Sequence, residues 1–200
     1  MTRSYRFRPV FGRVLAAVVV VVCVVIVAQS LVADAAGSWF VLAPLALVGV
    51  GVWAVYWQPG VDVDEEGVTV RNILRTTRVP WARLVKVDTR YTLTLATDDG
   101  RTVGAWASPA PGAIHALRLN KTRLAKLPES TYVDGTVRPG DDETTDSGLP
   151  ALVIRREWER HADAPDTGAA TEVVWHARTA VALAALALAS VASVLVSQLS

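Results

Sequence analysis

Residues 66–81 read EGVTVRNILRTTRVPW, and this stretch has the clearest strand pattern in the polar part of the chain. Valine alternates with a polar residue in Val68-Thr69-Val70, which predicts a half-buried β-strand. A second short strand is predicted at residues 76–79, directly before Pro80-Trp81. The stretch therefore predicts two consecutive strands that end in a Pro-Trp turn.

The same period of two continues on both sides of this stretch. Upstream, Val61 and Val63 alternate with aspartates, and Glu65-Glu66-Gly67 predicts a tight turn. Downstream, strand patterns occur at residues 84–87, 91–95 and 101–106, with a hairpin turn at Asp98-Asp99-Gly100. Five or six short strands at this spacing predict a small antiparallel sheet or a partly closed barrel.

Within the strand pattern at residues 91–95, we expect Tyr91, Leu93 and Leu95 to share one face of the sheet. After the strands, a helix is predicted at residues 150–162, where Leu152, Val153 and Trp158 would pack on the sheet. The closing helix thus completes a domain at residues 58–162, and residues 163–178 are predicted to be a linker.

Residues 107–149 separate the last predicted strand from this helix and are interpreted as an insertion. Its segment 113–127 is basic and spaces apolar residues as a helix does. Its segment 128–148 is acidic and rich in proline and glycine, which is typical of a flexible loop. The near-neutral net charge of +1 therefore conceals a basic segment followed by an acidic one.

Three stretches without any charged residue, at residues 14–28, 39–57 and 179–200, account for the high apolar content. The chain of 200 residues is 52% apolar and 20% charged, whereas soluble domains are about 45–50% apolar and about 25% charged. This composition excludes a simple soluble enzyme domain and a disordered chain. Because about 20 apolar residues span a bilayer, transmembrane helices are predicted at about 11–32, 39–57 and 179–200.

The basic residues predict the orientation of these helices. Four arginines lie before the first charge-free stretch, whereas residues 29–38 contain none. The positive-inside rule therefore predicts a multi-pass protein of the cytoplasmic membrane, with the N-terminus and the polar domain in the cytoplasm and the C-terminus outside. The alternative is a signal peptide cleaved near Ala33-Asp34-Ala35, although the first apolar run is longer than a usual signal.

Two features within the apolar runs carry weaker predictions. Small residues repeat every four positions in the third run, at Ala185, Ala189, Ser193 and Ser197. Such a stripe allows close approach of another helix, so the run is either a plain anchor or a contact for a homo-oligomer. The single cysteine, Cys23, lies in the first run and is interpreted as a small buried apolar residue.

The runs Glu66–Asn72 and Arg75–Trp81 resemble the bacterial PH-domain family of small membrane proteins, the group of the low molecular weight protein antigen 6 type. The resemblance covers about residues 12–106 and implies an α+β membrane protein: a transmembrane hairpin followed by a PH-like antiparallel sheet with a C-terminal helix. The insertion 107–149 and the third apolar run are extra to the simplest family pattern. The family signature, which we expect to be structural, is Gly67, Arg71, Asn72, Arg78, Pro80, Trp81 and Gly100.

The sequence contains no residue pattern that predicts catalysis. The histidines His115, His161 and His176 lie far apart, and no nucleotide-binding or hydrolase motif is present. The acidic run Asp141-Asp142-Glu143 lacks the spacing of a calcium loop and is interpreted as solvated. We therefore expect no enzyme activity, no cofactor and no metal, and the net charge of +1 does not favour nucleic acid.

Binding is the remaining class of function. Trp81 is interpreted as a structural anchor of the sheet, the alternative being an exposed ligand contact. The acidic turn at residues 64–66 would repel a phosphoinositide headgroup. The first hypothesis is a membrane-anchored, non-enzymatic PH-like module that binds an unknown protein partner. The alternative is a sensor of anionic lipid, whose basic segment contacts the bilayer through Arg118, Lys121, Arg123 and Lys126.

Overall fold

The structure of the protein is a computed structural model that describes residues 4–33, 39–109, 145–162 and 168–199. The chain forms two compact units, one of residues 1–9 and 59–174 and one of residues 10–58 and 175–200. The predicted lipid contacts Arg118, Lys121, Arg123 and Lys126 lie outside the described residues, as do His115 and the acidic run 141–143.

The first unit is built of antiparallel strands and one helix. In the described residues the strands are β1 Tyr5–Phe7, β2 Gly60–Val63, β3 Gly67–Arg71, β4 Arg75–Pro80, β5 Leu84–Asp88, β6 Thr92–Thr97, β7 Thr102–Pro109 and β8 Glu172–Trp175. They form a five-stranded sheet in the order β1-β2-β3-β4-β8 and a three-stranded sheet in the order β5-β6-β7. This architecture confirms the α+β class with antiparallel sheets.

The core of this unit follows from the alternation of the strands. The inward side chains of β2 and β3 are buried valines, β4 buries Val79 and Thr77, and Leu93 and Leu95 of β6 are fully buried. The closing helix, which we call α3, runs from Gly148 to Arg160 and packs Ala151 and Ile154 into the same core. α3 therefore begins two residues before the helix predicted at 150–162, and it ends at Arg160.

Parts of the sheet differ from the sequence-based prediction. Two strands were not predicted: β1 precedes the first apolar run, and β8 lies within residues 163–178, where a linker was predicted. Glu172-Val-Val-Trp is rich in residues that favour strands. Tyr91 does not share a face with Leu93, because β6 begins only at Thr92 and the tyrosine side chain is 77% exposed.

The second unit consists of apolar helices. They are α1 (Val10–Ala33), α2 (Trp39–Val52), which continues as a π-helical turn at Trp53–Trp57, and α4 (Ala177–Leu199). In the described part of the chain, these three are long and apolar enough to cross a membrane. The three predicted apolar helices are thus present at nearly the predicted positions.

Small residues allow the helices of this unit to approach one another closely. A Cβ atom added at Gly12 of α1 would lie 2.9 Å from Cδ1 of Tyr56. The hydroxyl of Ser193 in α4 is 3.2 Å from the carbonyl oxygen of Phe40 in α2 and donates a hydrogen bond to it. Of the predicted small-residue stripe, Ser193 therefore contacts α2, whereas Ala185 and Ala189 remain exposed.

Candidate functional site

The turn between β2 and β3 is the centre of the candidate site. Asp64 begins this turn, and its Oδ1 accepts hydrogen bonds from the backbone N–H groups of Glu66 and Gly67, at 2.9 and 3.0 Å. A Cβ atom at Gly67 would lie 2.2 Å from the carbonyl oxygen of Val79. Glycine is therefore required here because the turn lies directly against the backbone of β4.

Trp81 joins this turn to the end of the closing helix. Its side chain is 6% exposed, and its indole N–H donates a hydrogen bond of 3.1 Å to the carbonyl oxygen of Asp64. The indole ring stacks on the imidazole of His161, with centroids 5.5 Å apart and an interplanar angle of 12°. His161 directly follows α3, so the Trp81 ring connects the turn, β4 and the helix.

Arg78 brings a positive charge to the acidic turn. One of its terminal nitrogens lies 2.6 Å from a carboxylate oxygen of Glu66 and 3.4 Å from one of Asp64. These groups are partly or largely exposed, so the ion pairs contribute little to stability. Their effect is to orient the Arg78 and Glu66 side chains beside the turn.

A cleft of about 490 Å³ opens beside Trp81. We call it the acidic cleft, and the side chains that define its character are Glu65, Glu66, Arg78, Trp81, His161 and Glu172. Three carboxylates face one guanidinium in this lining, so the cleft favours cationic groups. A smaller adjoining cleft of about 340 Å³ shares Glu65 and His161 and adds the ion pair of Glu157 with Arg160, at 2.5 Å.

The other signature residues lie away from the acidic cleft. Arg71 forms an ion pair with Asp62 at the opposite end of β3. Asn72 follows β3 and connects it to β7, since its side-chain amide donates to Gly104 and accepts from the backbone N–H of Trp106, both at 2.8 Å. The structure therefore brings together Gly67, Arg78, Pro80 and Trp81 at the β2–β3 turn, whereas Arg71 and Asn72 do not line the acidic cleft.

Gly100 occupies the hairpin turn of the smaller sheet. Its φ of 77° is a left-handed conformation that favours glycine. In the same turn, the hydroxyl of Thr97 donates a hydrogen bond of 2.5 Å to Asp99, and this bond lowers the pKa of the Asp99 carboxyl below its ordinary value. Gly100 thus serves a turn that is separate from the candidate site.

Sequence reasoning missed two contributors to the acidic cleft, His161 and Glu172. The signal for Glu172 was present in the strand-like run Glu172-Val-Val-Trp, which adjoins an apolar helix and was assigned to a linker. His161 was singled out only as one of three distant histidines, and no local pattern pairs it with Trp81. Among the described residues, no group of three His, Cys, Asp or Glu side chains is arranged to hold a metal ion.

The polar domain matches a known protein family. A family model described as "Bacterial PH domain" matches residues 58–194. The matched region includes the insertion 107–149 and most of α4. Both segments were expected to be extra to the simplest family pattern. No curated protein and no solved structure is significantly similar to the chain.

Proposed function

Since the chain belongs to the bacterial PH-domain family, we propose that it is a membrane-anchored, non-enzymatic protein whose PH-like domain binds a protein partner in the acidic cleft. The cleft is the observation that carries this proposal. It offers the carboxylates of Glu65 and Glu172, and that of Glu66 paired with Arg78, beside the stacked Trp81 and His161 rings. The matching ligand is a segment of a partner protein that carries lysine or arginine side chains, because opposite charge speeds and orients docking.

The apolar helices support the anchoring part of the proposal. Their outward side chains remain exposed in the chain itself; Val21 of α1 is 61% exposed, and Leu188 of α4 is 72% exposed. Exposed apolar surface costs about 25 cal/mol per Å² in water. A bilayer removes this cost, so we assign the protein to the cytoplasmic membrane with these helices as its spans.

The pairing of β1 with β2 supports the proposed orientation. β1 precedes α1 and β2 follows α2, yet Arg6 and Asp62 are direct neighbours in one sheet. This pairing supports a transmembrane hairpin in which the chain before the first helix and the domain share one side of the bilayer. Arg6, Arg8 and Arg13 favour the cytoplasm for that side, with the C-terminus outside. Cleavage after Ala35 would remove β1 from the sheet, which argues against a signal peptide.

The test is photo-crosslinking of the full chain in its native membrane. Benzoylphenylalanine at position 82, an exposed residue that lines the acidic cleft, should give a discrete protein adduct. The same group at position 85, which is exposed on β5 and does not line the cleft, is the matched control.

Charge reversal makes this test specific. Glu65→Lys combined with Glu172→Lys should abolish the adduct at position 82, whereas Glu159→Lys, an exposed charge that does not line the cleft, should leave it intact. An adduct that survives reversal of the cleft charges, or lipid adducts alone, would refute binding in the cleft.

The second candidate function is recognition of anionic lipid by the basic segment 113–127. Its support is compositional, since Arg118, Lys121, Arg123 and Lys126 have no acidic residue among them. Replacing all four with glutamine should raise hydrogen exchange of this segment in nanodiscs that contain phosphatidylglycerol, and not in nanodiscs of phosphatidylcholine alone. Equal exchange in both lipids would exclude this function.

A further inference from the structure

The hairpin that joins β3 to β4 has an unusual tip. The backbone N–H of Asn72 donates a hydrogen bond of 2.8 Å to the carbonyl oxygen of Arg75, which leaves Ile73 and Leu74 as the turn. Two-residue turns usually contain glycine, asparagine or aspartate. Here the turn carries two aliphatic side chains, and Leu74 is 41% exposed. Turn geometry does not explain this choice of residues.

An exposed tryptophan lies beside this tip. The side chain of Asn72 holds β7 through two hydrogen bonds, of which one is to the backbone N–H of Trp106. The Trp106 side chain is 57% exposed. Asn72 thereby holds the backbone of Trp106 next to a turn with one half-buried and one exposed aliphatic side chain, and we call Ile73, Leu74 and Trp106 the apolar tip.

The register of the sheet places the apolar tip at the end where the chain continues into the apolar helices. Arg71, just before the tip, pairs with Gly60, the first residue of β2. In the next strand Val61 pairs with Phe7, the last residue of β1. β1 leads into α1 and α2 leads into β2, so this end of the sheet is tethered to two of the proposed membrane spans.

The charges around the two ends of β3 are opposite. Arg75 and Arg71, the latter paired with Asp62, flank the apolar tip. Asp64, Glu65 and Glu66 form the turn at the other end, where Arg78 is the positive partner of Asp64 and Glu66. A tryptophan and aliphatic side chains flanked by arginines are the composition of segments that lie in the interface of an anionic bilayer. The acidic end is the one that such a bilayer would repel.

We propose that the apolar tip inserts into the cytoplasmic leaflet, where Arg75 beside it adds a positive charge that favours anionic headgroups. The tip is a second, peripheral attachment of the domain, separate from its spans and from the basic segment 113–127. The occupant is the lipid interface, because connectivity keeps this end of the sheet near the bilayer and its charge attracts anionic headgroups. The inference rests on the proposed membrane anchoring.

The experiment measures lipid contact at single labelled positions of the full chain in phosphatidylcholine–phosphatidylglycerol nanodiscs. In a Cys23→Ala background, which removes the one native thiol, the fluorophore NBD is attached to one of three substitutions: Leu74→Cys at the tip, Glu65→Cys at the opposite turn, or Val21→Cys on the exposed face of α1. Quenching by lipids with a nitroxide on the acyl chain is compared with quenching by headgroup-labelled lipids.

The expected result is a blue-shifted emission at position 74 and acyl-chain quenching about threefold stronger than at position 65, as for a side chain about 5–10 Å deep in the interface. Water-like emission at position 74, or quenching there by headgroup nitroxides alone, would overturn the insertion. Position 21 separates the two proposals: if it is quenched and position 74 is not, only the inference fails, and if position 21 is not quenched, the anchoring itself fails.

Discussion

The indole of Trp81 lies nearly parallel to the imidazole of His161, 12° apart, although 80 residues of sequence separate them. This stacked pair joins the β2–β3 turn to the end of the closing helix, since Trp81 also donates a hydrogen bond to the backbone of Asp64. The wall of the acidic cleft therefore depends on a contact between elements that are far apart in the chain.

Trp81→Ala should destabilise the domain by about 3–5 kcal/mol, because it leaves a cavity at a buried aromatic site. Trp81→Phe, which keeps a ring and loses the indole hydrogen bond, should cost less, although it also leaves part of the space empty. Thermal unfolding of the detergent-solubilised chain measures both. An unchanged melting temperature in Trp81→Ala would contradict the structural role of this side chain.

Gly67→Ala should be among the most damaging small substitutions in the sheet. The added Cβ would meet the carbonyl oxygen of Val79 at 2.2 Å, and backbone atoms have little room to yield. A loss of about 1–3 kcal/mol or more is expected from such overpacking. Gly104→Ala is the matched control, because its Cβ would first meet Thr92 Cγ2 at an ordinary 3.5 Å. Equal melting temperatures for the two variants would be inconsistent with this packing.

Asn72→Ala should loosen the apolar tip from β7. It removes two hydrogen bonds of 2.8 Å and leaves the Trp106 N–H without its side-chain acceptor. The expected cost is about 1–3 kcal/mol. Hydrogen exchange at the Trp106 amide should rise, while the amides of Leu93 and Leu95 in the core should remain protected. Unaltered exchange at Trp106 would show that Asn72 does not hold the tip.

An NMR titration of the full chain should give the Asp99 carboxyl a pKa below the ordinary aspartate value. The hydroxyl of Thr97 is the first cause, because it donates a hydrogen bond to the carboxylate. Thr97→Val removes that donor with little change in shape and should move the pKa upward. A pKa that Thr97→Val leaves unchanged would assign its lowering to Arg101 and to the backbone hydrogen bonds of the turn instead.

The lowered pKa of Asp99 makes the stability of the folded state depend on pH. Asp99 has a lower pKa in the folded state than in the unfolded state, so its stabilising effect is present above the unfolded pKa. The effect disappears as the pH falls through the folded pKa. Wild type should therefore lose slightly more stability on acidification than Thr97→Val does.

A homo-oligomer through α4, which we propose as a second use of the small-residue stripe, predicts a pattern of disulfide crosslinks. In the Cys23→Ala background, Ala185→Cys and Ala189→Cys are exposed and should form intermolecular disulfides in the membrane. Ser193→Cys is the control, because Ser193 is 6% exposed and bonded to the backbone of α2. Crosslinks that are absent at the two alanine positions would indicate that α4 makes no such contact.

The core strands could be predicted from the sequence because their signal is local. Val61, Val63, Val68 and Val70 alternate with polar residues, and the structure buries all four of them. The apolar helices have an equally local signal in their length and lack of charge. The alternating pattern also predicted Tyr91 as part of the strand, and this prediction was wrong, because β6 begins at Thr92.

The edges of the five-stranded sheet depend on pairings over long distances. Tyr5–Phe7 has a short alternating pattern, but three residues within a basic arm do not indicate a partner on the far side of two apolar helices. Glu172 lines the acidic cleft because its strand, β8, lies next to β4 in the sheet although the two are far apart in sequence. Local residue patterns contain no information on such neighbours, so the cleft itself was not predictable.

The pairing of Arg6 with Asp62, 56 residues apart, determines when the sheet can form during synthesis. A ribosome makes β1 first, but its partner strand emerges only after both segments of the hairpin have been synthesised. Closing so long a loop is entropically costly for a free chain. Insertion of the hairpin by the translocation machinery would bring its two ends together and lower that cost. If the proposed membrane anchoring holds, the sheet can be completed only after the hairpin has been inserted.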